Sequence, residues 1–346
     1  MANPTAGGGL AREVLPRLRA FAIEKQWSAE FRSAESSEEF AQIAREEAAA
    51  GRERIFALGG DGTFQTLLNA VAGNASVSIG VLPAGGGNDL ASALGLPLNP
   101  VQAAEMILTQ GEAVPLDAAR VRTADGVERL YMGGGGVGLD AEAARFASGA
   151  YRKMRGRSRY LLSAIRALGS FRGIEVRVSL EGDEPSSLQG TALVLGILNT
   201  PSYGGGLRLA PEARLEDGRL DLVLLENLSV LEIAGILPRL AVTGEIRTAR
   251  IQRHRVTRVR IETERPCAFH ADGEIIGITP VEVAVVPGAM RVVARAEEFH
   301  GRDARLGRFN FFERVYLKMA ATRLVDEIDY RAFVAIEESD ELAEIR

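Results

Sequence analysis

Two stretches of this sequence have the same plan. RIFALGGDGTFQTLLNAV (54–71) and VSIGVLPAGGGNDLASALG (77–95) each run a short apolar strand into clustered glycines and then into a segment of helical spacing. A strand that hands over to a helix through glycines, twice in succession, is the repeat of a parallel sheet covered by helices. The helical spacing of LAREVLPRLRAFAIEK (10–25) and SSEEFAQIAREEAAAG (36–51) fits the same α/β layer, with Ser36 or Ser37 as N-cap and Gly51 as C-cap.

Ligands of open parallel sheets gather beyond the carboxyl ends of the strands. Both glycine clusters, Gly59-Gly60-Asp61-Gly62-Thr63 and Gly85-Gly86-Gly87-Asn88-Asp89, fall there and open helices. Unpaired N–H groups and the positive dipole end of a helix suit phosphate oxygens. Asp61 is the odd member, because a carboxylate repels bare phosphate. A cation or a ribose hydroxyl beside it gives the residue a role, so Asp61 reads as a group that handles Mg²⁺ or the nucleotide. Ordinary strand-to-helix turns remain the alternative for each loop taken alone. GGGGVG (133–138) also fits the G-x-G-x-x-G pattern of dinucleotide sites, but it lies among strand-like segments and has no acidic residue near position 158.

Beyond about Pro115 the pattern changes. AARVRT, VERLYMGG, IEVRVSLEG, TALVLGILN, GRLDLVLLEN, VTRVRIET, CAFHADGEIIG and VEVAVVPG read as strands separated by turns, hence a mostly antiparallel second domain. Helices are expected over 151–171 and about 229–243, and the chain from about Gly307 on reads as a helical extension with an acidic tail. The 346 residues suffice for two cores, and the 46% hydrophobic and 25% charged content is that of a globular protein. The single cysteine, Cys267, allows no internal disulfide, and His254, His270 and His300 are too scattered for a zinc site. The net charge of −5 argues against nucleic acid as a partner. No charged-then-apolar leader stands at the N-terminus, and 228–242 is too short and too polar to span a bilayer, so a cytoplasmic location is expected.

NPTAGGG near the start, GGDGT, LPAGGGNDLASALGLP, GVGLDAE, GGGLRLAPEARLEDGRLDLVLLE and HADGEIIG occur in an order that resembles the diacylglycerol kinase catalytic-domain family, relatives of sphingosine and ceramide kinases. The resemblance covers roughly residues 3–300. It implies an α/β nucleotide-binding domain (1–116, completed by about 295–346), a β-sandwich domain (117–294), and ATP and lipid in the cleft between them. By that likeness Asn3 and Thr5 approach the ATP phosphates together with Gly59–Thr63 and Gly85–Asp89. The family's DGE carboxylates fall on Asp272 and Glu274 as catalytic residues. Its structural Mg²⁺ maps to the Asp217 carboxylate with the backbone carbonyls of Arg214 and Arg219. Three departures stand out. Only Met1 and Ala2 precede the NP where the family has a first strand; Gly86 replaces a threonine; and the segment after about Arg302 has no counterpart.

Three functional classes follow: an ATP-dependent lipid kinase, most directly of diacylglycerol; another GGDGT kinase, of NAD or a sugar phosphate; and a non-catalytic lipid- or nucleotide-binding regulator. A lipid acceptor requires a membrane surface. Arg145, Arg152, Lys153, Arg155, Arg157, Arg159, Arg166 and Arg172, with no acid among them, make the stretch 145–173 a candidate for transient attachment to anionic headgroups; a solvated helix face is the plainer reading. The oligomeric state stays open, with a homodimer as one outcome.

Overall fold

The computed structural model describes residues 1–4, 6–139, 141–143, 173–182, 185–202, 207–229, 232, 235–236, 246 and 248–295. Thr5, nearly all of the basic stretch, most of the expected helix at 229–243 and the extension beyond Arg295 lie outside them.

The first domain is built around two parallel strands, β1 (Arg54–Gly59) and β2 (Ser78–Pro83), in register from Arg54 opposite Ser78 to Gly59 opposite Pro83. Every residue of β2 is buried, as expected of a strand covered on both faces. Helices α1 (Leu10–Glu24), α2 (Ser37–Ala49), α3 (Asp61–Val71) and α5 (Pro100–Gln110) pack around this sheet; a five-residue α4 (Asp89–Ala93) follows β2. On α1 the buried residues Ala11, Val14, Leu18 and Ala22 recur at helical spacing on one stripe. The start of α2 is capped twice: the N-cap Ser36 hydroxyl accepts the Glu39 N–H at 3.1 Å, and the Glu39 carboxylate accepts the N–H of Glu35, just before the cap, at 2.6 Å.

Ahead of α1, Ala2 stands beside β1 in an isolated bridge. Ala2 bridges Leu58 and Ser33 in parallel and is almost fully buried. Its N–H donates to the Arg32 carbonyl at 2.8 Å, and the Asn3 N–H donates to the Leu58 carbonyl at 3.1 Å. The NDLASALGLP helix expected over 88–97 is also shorter than the pattern suggests, because Gly95 takes a left-handed φ of 63° just beyond it. The α5 helix lies outside the sequence reading, although Asn99 caps it by accepting the Val101 and Gln102 N–H groups and Pro100 occupies its first turn.

The second domain is antiparallel. Its strands are β3 (Glu112–Thr123), β4 (Glu128–Tyr131), β5 (Gly134–Gly138), β6 (Ile174–Gly182), β7 (Ser186–Leu198), β8 (Leu220–Glu226), β9 (Ile251–Thr263), β10 (Ala268–Ala271), β11 (Glu274–Ile278) and β12 (Val281–Ala294). Strands β6, β7, β8 and β9 close a circuit. β7 pairs β6 through its first half and β8 through its second, and β9 does the reverse. Along β6 the burial alternates residue by residue, the signature of a sheet with one face on the core.

β3 and β12 belong to both domains. They pair along nearly their whole length, with an irregularity between Val286 and Met290. On one side of it, Ala289–Ala294 and residues up to Ala118 join the first core, and Arg291 and Val292 pair with β2 in parallel. On the other, Ala119, Val121, Val281 and Val283 join the second core. The chain thus returns to the first domain before residue 295, through the end of β12.

Candidate active site

The glycine loops converge because their backbones touch. A Cβ at Gly60 would sit 2.8 Å from the Gly85 Cα, so only glycine permits the two strand-to-helix turns to pack this closely. Gly7, at φ 62°, packs against the Ala84 carbonyl with no room for a side chain, which brings the N-terminal loop to the same place. There the Asn3 amide donates to the Thr63 hydroxyl at 3.3 Å. Gly86 has open space around its missing Cβ, so the threonine of the family pattern would fit.

Asp61 ties the loops together. Its Oδ2 accepts the Asn88 N–H at 2.8 Å and its Oδ1 the Leu90 N–H at 3.2 Å. The carboxylate therefore sits on the start of α4 and props up the second glycine loop. Asn88, in the left-handed region at φ 60°, closes that loop by accepting the Gly85 N–H at 2.8 Å. Burial, and then the neighbouring Asp89 carboxylate, push the Asp61 carboxyl up from an ordinary 3.8 to about 7; Asp272 adds to the push, and the Leu90 and Asn88 N–H groups oppose it.

Asp272 reaches this cluster from the other domain. It occupies the turn between β10 and β11 at φ 47°. Its Oδ1 accepts the Gly133 and Gly134 N–H groups, each at 3.0 Å, and its Oδ2 accepts the Met132 N–H at 3.1 Å. A Cβ at Gly133 would lie 2.8 Å from that Oδ1, so glycine is what lets the amide approach. Burial raises the Asp272 carboxyl, while the three amides and His270 pull it down. Three lone-pair positions are taken, which leaves capacity on Oδ2 for one further proton. Glu274, first in β11, is exposed and makes no hydrogen bond or ion pair among the described residues.

Residues that carried no signal in the sequence hold the two halves together. The Asn199 amide donates to the Asp117 carbonyl at 2.9 Å and to the Met132 carbonyl at 3.2 Å, and its N–H to the Gly133 carbonyl at 2.9 Å. Thr200 donates to the Gly133 and Ser202 carbonyls, and the Ser202 hydroxyl donates to Asp89 Oδ1 at 3.4 Å. The Gln65 amide on α3 donates to the Ala271 carbonyl at 3.4 Å. GGGGVG is not a nucleotide loop: Gly134–Gly138 is β5, paired with β7 and β10.

Asp217 lies in a separate cluster. Its Oδ1 accepts the Arg219 N–H at 3.0 Å, and its Oδ2 pairs with Arg255. Asp117, on β3, accepts the Gly218 N–H at 2.6 Å and the Gly288 N–H at 2.9 Å. Asp221 is pushed up to about 6 by burial, with Arg255 opposing. A cation at Asp217 would compete with Arg255, so the donors as placed do not make a ready cation cage.

A helix-covered α/β layer with paired glycine loops, faced by a carboxylate from a β-sandwich, defines a two-domain kinase. Residues 1–121 match the diacylglycerol kinase catalytic domain and residues 135–294 the YegS C-terminal NAD kinase beta sandwich-like domain. A "Probable lipid kinase YegS-like" of Pseudomonas aeruginosa is 33% identical over 252 residues, 72% of this chain and 80% of that one. Two proteins named diacylglycerol kinase are similar as well. That of Mycobacterium tuberculosis is 29% identical over 245 residues, 71% of this chain and 78% of its own. That of Bacillus subtilis is 28% identical over 307 residues, 87% and 97% respectively. A crystal structure of a Bacillus anthracis diacylglycerol kinase shares the fold, with TM-score 0.63 at 18% identity over 85% of this chain and 95% of that one. The chain belongs to the diacylglycerol kinase catalytic-domain family of lipid kinases.

Proposed function

We propose that this kinase transfers the γ-phosphoryl group of ATP to the free hydroxyl of diacylglycerol, giving phosphatidic acid and ADP. The observation that carries the reading is Asp272. It is a partly buried carboxylate, fixed by three amides of one domain and within electrostatic reach of Asp61 at the glycine loops of the other. The glycine loops and helix N-termini offer N–H groups to the triphosphate. The acceptor oxygen forms its bond to the γ-phosphorus as the bond to the β-phosphate oxygen breaks, and the hydroxyl proton passes to Asp272. Asp61 orders the loop that meets the phosphates.

No group of three carboxylate, histidine or cysteine side chains among the described residues is placed to hold a cation by itself, so Mg²⁺ would enter with the triphosphate, close to Asp61, whose carboxyl is raised by burial and then by Asp89 and Asp272. When bound it would neutralise charge on the phosphates. The Asp217 site is a second cation proposal, and binding there would displace Arg255. A rise in melting temperature with Mg²⁺ in the wild type that is absent in Asp217→Asn supports it; equal responses remove it.

Labelled ATP offered with diacylglycerol, monoacylglycerol, ceramide, sphingosine, phosphatidylglycerol, undecaprenol and NAD tests the acceptor. Label in phosphatidic acid is expected, and preferential labelling of another acceptor overturns the assignment. No helix among the described residues is long and apolar enough to cross a membrane. The basic stretch 145–173 is our candidate for reversible attachment, because it carries eight Arg and Lys residues and no acid. Glutamine at Arg152, Lys153, Arg155 and Arg157 should flatten the salt dependence of binding to anionic vesicles; an unchanged dependence argues against it.

A further inference from the structure

Among the described residues only four large apolar side chains are strongly exposed: Ile23, Val127, Ile275 and Ile278. Three of them collect on one rim. Ile275 (39% exposed) and Ile278 (57%) lie on β11, the strand that leaves the Asp272 turn. Val127 (42%) is at the turn between β3 and β4. The two elements meet at Gly277, where a Cβ would be 2.7 Å from the Thr123 methyl, and the Thr123 N–H donates to the Val127 carbonyl at 3.0 Å. β11 ends the sheet order and pairs only with β10, so its outer edge has no partner among the described residues.

We infer that this rim, formed by the β10–β11 hairpin and the β3–β4 turn, is the face that enters the lipid bilayer and delivers the acceptor hydroxyl to Asp272. The inference rests on the lipid-kinase reading. A lipid hydroxyl has to reach Asp272 while its acyl chains stay in an apolar phase, and the exposed isoleucines begin three residues from that carboxylate. The rim carries both signs. Arg129 and Arg265 make no ion pair among the described residues, and Glu264 and Glu274 are likewise exposed and unpaired. Such a border matches zwitterionic headgroups, and apolar insertion supplies the affinity. A covered edge would otherwise point to a second copy of the chain, since unpaired edges also invite strand pairing.

The test uses vesicles of phosphatidylcholine alone, with neither acceptor nor nucleotide, and the full chain as wild type and as Val127→Glu, Ile278→Glu and the double variant. Wild-type partitioning should survive high salt, and the double variant should lose at least about tenfold of it. Its turnover of a short-chain, water-soluble diacylglycerol should stay within about twofold of wild type, and its melting temperature should be unchanged. In a separate assay with ATP, turnover of long-chain diacylglycerol embedded in phosphatidylcholine vesicles should fall with partitioning. Wild-type partitioning by the double variant overturns the inference, and so does a change from dimer to monomer with vesicle binding intact. Vesicle binding that responds as expected, while no lipid in the acceptor panel is phosphorylated, overturns the diacylglycerol assignment and leaves the rim as a membrane face.

Discussion

At the scale of single residues, the aspartates matter most where backbone N–H groups capture them. Asp61 stood out as a candidate from its place between glycines, but its partners did not: the amides of Asn88 and Leu90 lie 27 and 29 positions away. Its titration leads to a prediction. Because the folded protein raises this carboxyl from 3.8 to about 7, the fold binds the extra proton. Its contribution is most favourable below the ordinary value and is lost as pH rises from about 4 to about 7. Asp61→Asn removes the ionisation, so its melting temperature should fall less across that range than the wild type's. Thermal melts of both at several pH values, without nucleotide, check this; parallel curves would contradict it. Gly60 allows a second prediction. Alanine there places a Cβ 2.8 Å from Gly85 Cα, with backbone on both sides. Gly60→Ala should cost about 1–3 kcal/mol and weaken ATP binding, whereas Gly62→Ala, with open space around its Cβ, should cost less. Denaturant unfolding of the two variants compares them.

At the scale of elements, strands and helices were readable where hydrophobic period and turn residues agree, as in β1, α3, β2 and β6. The failures share a cause. β5 imitates a nucleotide loop because glycine content does not reveal that the backbone is paired on both sides by β7 and β10. The bridge of Ala2 to Leu58 and Ser33 was invisible because a single residue carries no pattern. The Met132–Gly134 amides that grip Asp272 have no side-chain signature, and neither does the Asn199 amide that holds their carbonyls. Asn199→Ala should free that segment. The expected outcome is a loss of about 1–3 kcal/mol in stability, since buried carbonyls lose their donor. Turnover should fall with little change in the KM for ATP, because the glycine loops stay in place. Steady-state kinetics with each substrate varied separate the two; a rise in KM for ATP alone would place the effect in the wrong domain.

At the scale of the whole molecule, the division into an α/β layer and a β-sandwich was legible in the change of pattern near Pro115. That the two share strands was not legible from the pattern, because only the sandwich halves, AARVRT and VEVAVVPG, read as strands, whereas β3 begins at Glu112 and β12 runs on to Ala294. Their shared pairing makes the halves one mechanical unit, pinned where Asp117 accepts the Gly218 and Gly288 N–H groups. Unfolding should therefore be a single transition. The only tryptophan, Trp27, reports the first domain by fluorescence, and a fluorescent thiol label on the single cysteine, Cys267, which packs against the second core, reports the second. Coincident denaturation curves are expected, and separated midpoints would show that the domains melt independently. The same linkage sets Asp272 opposite the glycine loops although more than two hundred residues separate it from Asp61. The most direct test of that arrangement is the turnover of Asp272→Asn on the best lipid acceptor, with Glu274→Gln alongside and ATP affinity measured for both. Asparagine can keep its oxygen on the Gly133 and Gly134 amides but turns its own NH₂ toward the Met132 N–H and cannot take the acceptor proton, so turnover should fall by about 10²–10⁴-fold while ATP affinity stays near wild type and the melting temperature drops only modestly. Near-normal turnover in Asp272→Asn would contradict Asp272 as the base, and collapse in Glu274→Gln instead would move that role to Glu274.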